Sequence, residues 1–327
     1  MSRFVLPLLA LFFLLVGCGT PSLLITPVAN TQRLEAVEVE PGDGWFPKKI
    51  AIIEVEGMLL NARTGGFLQP QENKVSLFVE QLDVAARDPN VKAVVLRVNS
   101  PGGTVTASDT MYQKVVDFKK KTGKPVVASL QDVAASGGYY VATGADQIVA
   151  HPMSVVGSIG VIYHTFNIEG TLRKIGAEAK SITSGPFKDM GSPFKALSDD
   201  ERAIMQRMVD EYYGRFVGMV VSQRPGVAAE AARQKIATDG RVFTGEQAVK
   251  VGLVDRTGLH EDAIDTARAL AKAPGASVIL YKRPYGYSGS IYASTEATPQ
   301  PQANVLHLSL PGARELLPTG FYYLWEP

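Results

Sequence analysis

The chain has 327 residues, 46% of them hydrophobic and 20% charged, enough apolar material for a sizeable core in one large domain or two small ones. Its formal charge is +1, and the first 17 residues hold Arg3 and no acid, so the remainder is balanced. No basic patch accompanies that balance, which excludes the electrostatic footprint of a nucleic-acid-binding protein.

Residues 1–17 open with Arg3 and carry an apolar run from Phe4 to Val16, too short for a comfortable membrane span but of the length of a secretory signal core. The run ends Leu15-Val16-Gly17-Cys18, a bacterial lipoprotein signal pattern. Cys18 is the only cysteine in the chain, so it has no internal disulfide partner and no cysteine cluster to join. The expectation is that Cys18 becomes the lipidated N-terminus; the bland alternative is a plain signal peptide with an incidental cysteine. Residues 18–47, rich in Pro, Thr, Glu and Gly, then read as a tether that holds the folded part off a bacterial cell membrane on its extracytoplasmic face.

The folded domain is expected over 48–283. Ile50 to Val55, enriched in β-branched residues, predicts a first strand. Val75, Phe78, Val79, Leu82, Ala85 and Ala86 recur at helical spacing until Asp88-Pro89-Asn90 stops them. Ala93 to Val98 predicts a buried strand, Ser108 to Lys120 a helix, Pro125 to Leu130 a strand, Ser136 onward a helix, and Gln147 to Ala150 another strand. Such alternation predicts α/β architecture, parallel sheet with crossover helices, in which sites gather at the carboxyl ends of strands.

Two loops fall at such ends. Asn99-Ser100-Pro101-Gly102-Gly103 leaves one strand, and Asp132-Val-Ala-Ala-Ser136-Gly-Gly-Tyr-Tyr140 leaves the next. A serine among alanines and glycines lets a carbonyl approach closely, and helix-start amides after it can face an oxyanion. Alone, a Ser-Gly-Gly is more often an ordinary turn. Further on come Gly157-Ser158-Ile159-Gly160-Val161 and, 52 residues after Ser136, Lys188 in Ser184-Gly185-Pro186-Phe187-Lys188. Ser198 to Glu201 is a capping box for a long helix through Ile204, Met208, Tyr212 and Phe216, and Thr244 to Gln247 caps a short one ended by Gly252. Asp255 reads as structural. After one more strand-like run, Ser277 to Tyr281, residues 284–327 form a low-complexity tail with apolar stretches at Val305 to Leu310 and Phe321 to Trp325. Those stretches suggest that the tail docks on its own or a neighbouring subunit, near the catalytic groove.

From Lys49 to Tyr281 the chain resembles the signal peptide peptidase A family, membrane-associated serine-lysine peptidases of the crotonase (ClpP)-like fold, in both the order and content of these motifs. The resemblance implies Ser136 as nucleophile, Lys188 as general base, Ser158 as the group orienting the lysine, and the Gly103 and Gly137 amides as oxyanion hole. It implies no metal and no organic cofactor, peptide substrates such as cleaved signal peptides, and a pocket for small or apolar side chains. A lysine serves as base only when neutral, which burial favours, here expected against Phe187. Because tandem-domain members share one site between halves, a single-domain chain is expected to form a homo-oligomer with sites near subunit interfaces. Lys195 and His151 are the competing bases. A crotonase-like acyl-CoA enzyme and a catalytically silent membrane scaffold are the alternatives; the first explains neither the lipoprotein signal nor Lys188, and the second would lack the dyad.

Overall fold

The computed structural model describes residues 33–44, 47–62, 72–228, 231–283 and 320–325. In chain order these form β1 (Glu35–Glu40), β2 (Lys49–Leu59), α1 (Lys74–Arg87), β3 (Val91–Thr104), α2 (Val105–Thr122), β4 (Val126–Ala135), α3 (Gly137–Ala142), β5 (Gln147–Ala150), β6 (Val155–Gly157), β7 (Ile162–His164), α4 (Glu169–Lys174) and α5 (Asp199–Gln223). They continue as α6 (Pro225–Ala228), α7 (Ala231–Ala237), β8 (Val242–Thr244), α8 (Gly245–Lys250), β9 (Arg256–Thr257), α9 (His260–Leu270), β10 (Ser277–Lys282) and β11 (Gly320–Leu324).

The central strands run β10-β2-β3-β4-β5-β9, all parallel, with β1 antiparallel on the outer edge of β10. Period-two alternation assigns the two faces. One carries Ala51, Ile53, Val55, Val94, Leu96, Val98, Val126, Ala128 and Leu130 against α1, α2 and α3. The other begins apolar, with Ile50, Ile52, Ala93, Val95 and Val127 under Ala263, Ile264 and Ala267 of α9. Towards the carboxyl ends this second face turns polar: Glu54, Arg97, Ser129 and Gln131 replace the aliphatics, and a cavity of about 450 Å³ opens there beside His151 and His260.

The helices begin and end where capping chemistry dictates. Asn73 caps α1, Thr104 caps α2, and Gly123 ends α2 in the left-handed conformation. Both sequence-predicted capping boxes form, Ser198 with Glu201 and Thr244 with Gln247. Asp255 is structural in the described geometry: its carboxylate accepts the Ile148 amide at 2.7 Å and both terminal nitrogens of Arg224 at 2.9 and 3.0 Å.

Three readings need adjustment. The segment 18–47 is not wholly a tether, because Glu35–Glu40 pairs with β10 through Val37 opposite Leu280. The tail is not wholly low-complexity chain, because Gly320–Leu324 is a strand. Gly102-Gly103, expected in a loop, continue β3 as far as Thr104. Cys18, the signal segment 1–17 and most of the tail lie outside the described residues.

His260 supplies a pH-dependent increment of stability. It is buried at the start of α9, its Nδ1 is 2.9 Å from Ser129 Oγ, and its pKa is lowered to about 4, by burial first and by the positive charge of Arg97 second, against an opposing pull from Glu261. As pH falls below 6.5 the unfolded chain takes up this proton before the native one does, so stability declines until the native imidazole also protonates near 4. Denaturant titrations should therefore show a loss of up to about 3 kcal/mol in this window that is missing from His260→Gln, read as the difference between the two pH profiles.

Candidate active site

Ser136 sits between the last residue of β4 and the first of α3, at φ 50° and ψ −116°, a conformation that L-residues rarely adopt. Two backbone bonds hold it there: its amide donates to Gly157 O at 2.7 Å, and its carbonyl accepts the Tyr140 amide at 2.8 Å. The side chain is buried, and its Oγ has no hydrogen-bond partner among the described residues. A hydroxyl held in a strained turn without a committed partner is free to meet a ligand carbonyl.

The backbone around it is packed too closely for side chains. A Cβ on Gly137 would lie 2.3 Å from Ser108 Oγ, and one on Gly103 would lie 2.0 Å from Leu59 O. Gly102, at φ 109°, approaches Gly137 so closely that a Cβ there would be 2.8 Å from the Gly137 amide nitrogen. The end of β3 and the start of α3 thus form one bare-backbone cradle. Gly102 N–H is committed to Ser100 Oγ at 3.1 Å, which leaves Gly103 and Gly137 as the candidate donors to an oxyanion.

The β11 strand lies across this cradle. It pairs antiparallel with β3, Tyr323 opposite Gly103 and Leu324 opposite Gly102, and on its other edge with β7, Phe321 opposite Tyr163. The Trp325 amide extends the first ladder by donating to Pro101 O at 2.8 Å. The Tyr323 carbonyl oxygen lies 2.0 Å from a Cβ position on Gly102 and 3.1 Å from one on Gly137, directly over the cradle.

Ser158 comes next to Ser136 through the pairing of β4 with β6. Ala135 is opposite Gly157, and both chains leave the strand with a positive φ, 52° at Ser158. Its amide donates to Arg241 O at 2.8 Å, and it lines a cavity of about 330 Å³ with Ile162, Tyr213 and Leu324. Lys188 is not brought to Ser136 by any described contact. It is exposed on a turn, its amide bonded to Gly185 O at 3.2 Å, and the expected shield of Phe187 is itself 44% exposed. The competitors are engaged elsewhere. Lys195 Nζ donates to Asp189 at 2.6 Å and Glu201 at 2.7 Å, and these hydrogen bonds hold its pKa above the ordinary value, which unfits it as a base. His151 Nδ1 accepts the Met153 amide at 3.2 Å, fastening its own turn.

Sequence reasoning placed Gly102 at a strand end without its left-handed backbone, and named Tyr140 and Phe216 without their meeting Tyr323. The run Phe321 to Trp325 was visible as apolar chain, but its partner strands lie more than 150 residues away and left no local mark.

The arrangement suits acyl transfer through a serine at the carboxyl ends of parallel strands. The model of Peptidase family S49 matches residues 118–274. A protein of Methanocaldococcus jannaschii, provisionally named a protease, is 36% identical over 283 residues, spanning 86% of this chain and 87% of its own. A protein of Enterococcus faecium, provisionally named signal peptide peptidase SppA, is 36% identical over 76% of this chain and 71% of its own. Protease 4 of Salmonella typhi is 41% identical over 59% of this chain but only 30% of its own. The chain belongs to peptidase family S49, the signal peptide peptidase A family, and with it to the serine-type peptidases of ClpP-like α/β fold.

The strain at Ser136 is measurable without turnover. Glycine accepts φ 50° without steric cost, whereas alanine does not. Ser136→Gly should therefore be more stable than Ser136→Ala by about 1 kcal/mol in thermal or denaturant unfolding. Equal stabilities would mean that the turn is not strained.

Proposed function

We propose that the protein is a membrane-associated serine endopeptidase with a Ser136–Lys188 dyad, acting on cleaved signal peptides and other membrane-associated peptides. The observation that carries this reading is the position of Ser136: a buried hydroxyl with no partner among the described residues, on a strained turn that shares a backbone cradle with Gly103 and Gly137. Ser136 Oγ attacks the peptide carbonyl and the Gly103 and Gly137 amides hold the oxyanion. Lys188 takes the serine proton, delivers it to the leaving amine, and then activates water for deacylation, with Ser158 orienting the amine.

Lys188 reaches Ser136 of a neighbouring copy. What supports this is the segment 168–194 that carries it: Ile175 and Ile182 are strongly exposed, and Ile168, Phe187 and Phe194 each present 40% or more of their surface. So many exposed apolar side chains on one stretch fit a surface that another chain covers, and such burial would also desolvate the lysine. Membrane attachment is through a lipid on Cys18; no helix among the described residues is long and apolar enough to cross a membrane.

The test is co-expression of Ser136→Ala with Lys188→Ala in full-length protein kept in detergent, assayed with a quenched peptide of apolar core. Each variant alone should be inactive, and the mixed assembly should recover a sizeable fraction of wild-type turnover, because one copy brings the serine and the other the lysine. Inactivity of the mixture with both singles dead would place the dyad within one chain. Full activity of Lys188→Ala alone would remove the lysine from the mechanism.

A further inference from the structure

We propose that the cavity on the α9 face of the sheet is a second binding site, for a peptide of two or three residues with both termini free. Arg97 takes its carboxylate, and Glu56 and Asp132 take its ammonium. The site stands on its own geometry; the peptidase reading enters only as a source of such peptides, which are what exhaustive cleavage leaves.

Two polar rows interrupt an otherwise aliphatic face. Ile52, Val95 and Val127 lie side by side across β2, β3 and β4. Two residues on, the same face carries Glu54, Arg97 and Ser129 in register, and after them Glu56 opposite Asn99. Arg97 and Glu54 form an ion pair whose side chains are only 10% and 8% exposed. Lys282, buried at the end of β10, interacts with both charges. One carboxylate thus stands between two cations, and a positive charge is left over on the floor. A buried ion pair adds little to stability compared with well-packed aliphatics, so the fold alone gives no reason to break the aliphatic rows here. Instead of being packed over, the polar rows open into a cavity of about 450 Å³, the size of a small-molecule site.

The floor of the cavity collects donors. A guanidinium has five N–H groups, more than the Glu54 carboxylate takes. Asn99 Oδ1 accepts the Val133 amide at 3.2 Å, which leaves the Nδ2 donor for the cavity. His151 Nδ1 accepts the Met153 amide at 3.2 Å, which places its proton on Nε2. One wall is fixed by Ser129 Oγ, which lies 2.9 Å from His260 Nδ1 and accepts Gln131 Nε2 at 2.9 Å.

At the mouth the sign reverses. Glu56 and Asp132 are exposed there, on the strands that flank β3, and Leu259 adds an apolar lip at 52% exposure. Carboxylate and ammonium sites are therefore about one strand spacing apart, roughly 5 Å. Two residues span at most about 7 Å, so a dipeptide bridges that gap and a tripeptide does so when bent. A bare anion meets the acids at the mouth and a bare cation meets Arg97. Among the described residues no group of three or more His, Cys, Asp or Glu side chains could hold a metal ion.

The test is calorimetric titration of full-length Ser136→Ala in detergent with alanyl-alanine, its C-terminal amide and its N-acetyl form. Ser136→Ala removes turnover and lies outside the cavity lining. The free dipeptide should bind saturably, and each blocked form about tenfold or more weakly. Arg97→Gln should weaken the free dipeptide about tenfold and leave the amide unaffected. Glu56→Gln combined with Asp132→Asn should weaken the free dipeptide similarly and leave the N-acetyl form unaffected. Absence of saturable binding, a blocked form that binds as well as the free one, or indifference to both sets of substitutions overturns the inference. Should Arg97→Gln fail to fold by circular dichroism, the exposed Glu56 and Asp132 substitutions and the two blocked peptides decide. The peptidase reading is judged separately, on turnover by the protein with Ser136 intact. An inert enzyme that binds the dipeptide sinks that reading alone, and an active enzyme that does not bind it sinks this one alone.

Discussion

The site depends on how closely bare backbone can approach bare backbone. Where β3 ends and α3 begins, a Cβ on Gly138 would lie 2.6 Å from Ser100 O, as those on Gly102 and Gly103 would press on their own neighbours. No side chain fits in these gaps, so two main-chain segments that ordinary residues would hold apart instead come into close contact. Helix α3 has only six residues and all are buried, which anchors the amide end of the cradle in the core. An oxyanion hole requires donors that are fixed before the charge develops, and a backbone locked in this way meets that requirement.

The same closeness imposes strain, and the fold offsets it locally. Ser136 and Ser158 both take a positive φ at equivalent points of neighbouring strands, at an order of 1–3 kcal/mol each. The bonds that hold them run between the two turns and outwards, Ser136 N–H to Gly157 O and Ser158 N–H to Arg241 O. Neither turn would persist without the other strand, so the two serines are positioned as a pair by the β4–β6 ladder rather than one by one.

The legible part of this molecule was the part with local causes. The apolar runs around Ile52, Leu96 and Ala128 marked central strands because they are buried on both faces, and Ser198 and Thr244 marked helix starts through contacts three residues long. Ser136 stood out only through the other motifs around it, since a Ser-Gly-Gly alone is more often an ordinary turn. Long-range pairing was not. Glu35–Glu40 reads as polar chain until β10 covers its edge, and Ser100-Pro101-Gly102-Gly103 reads as a turn until Leu59 and Tyr323 pair with it. Lys188 illustrates a third case: its motif is recognisable, but its environment is exposed in the single chain, so no local rule fixes what it faces.

The backbone cradle and the aromatic cluster around Tyr323 come from different parts of the chain. Gly103, Ser136 and Gly137 belong to the parallel sheet and its first turn of helix, whereas Tyr212 and Phe216 come from α5, outside the sheet. Of the 25 residues of α5 only Glu201, Phe216 and Val220 are fully buried, so the helix is held to the domain mainly near its C-terminal half and at its capped start. Phe216 is fully buried against Tyr140 and Tyr323, so its substitution would cost core packing, whereas the β4–β6 ladder that strains Ser136 contains no residue of α5. The cradle has no side chains to vary, whereas the ring cluster is made of side chains that also belong to the core, so the two are held by different means: one by backbone contact, the other by packing.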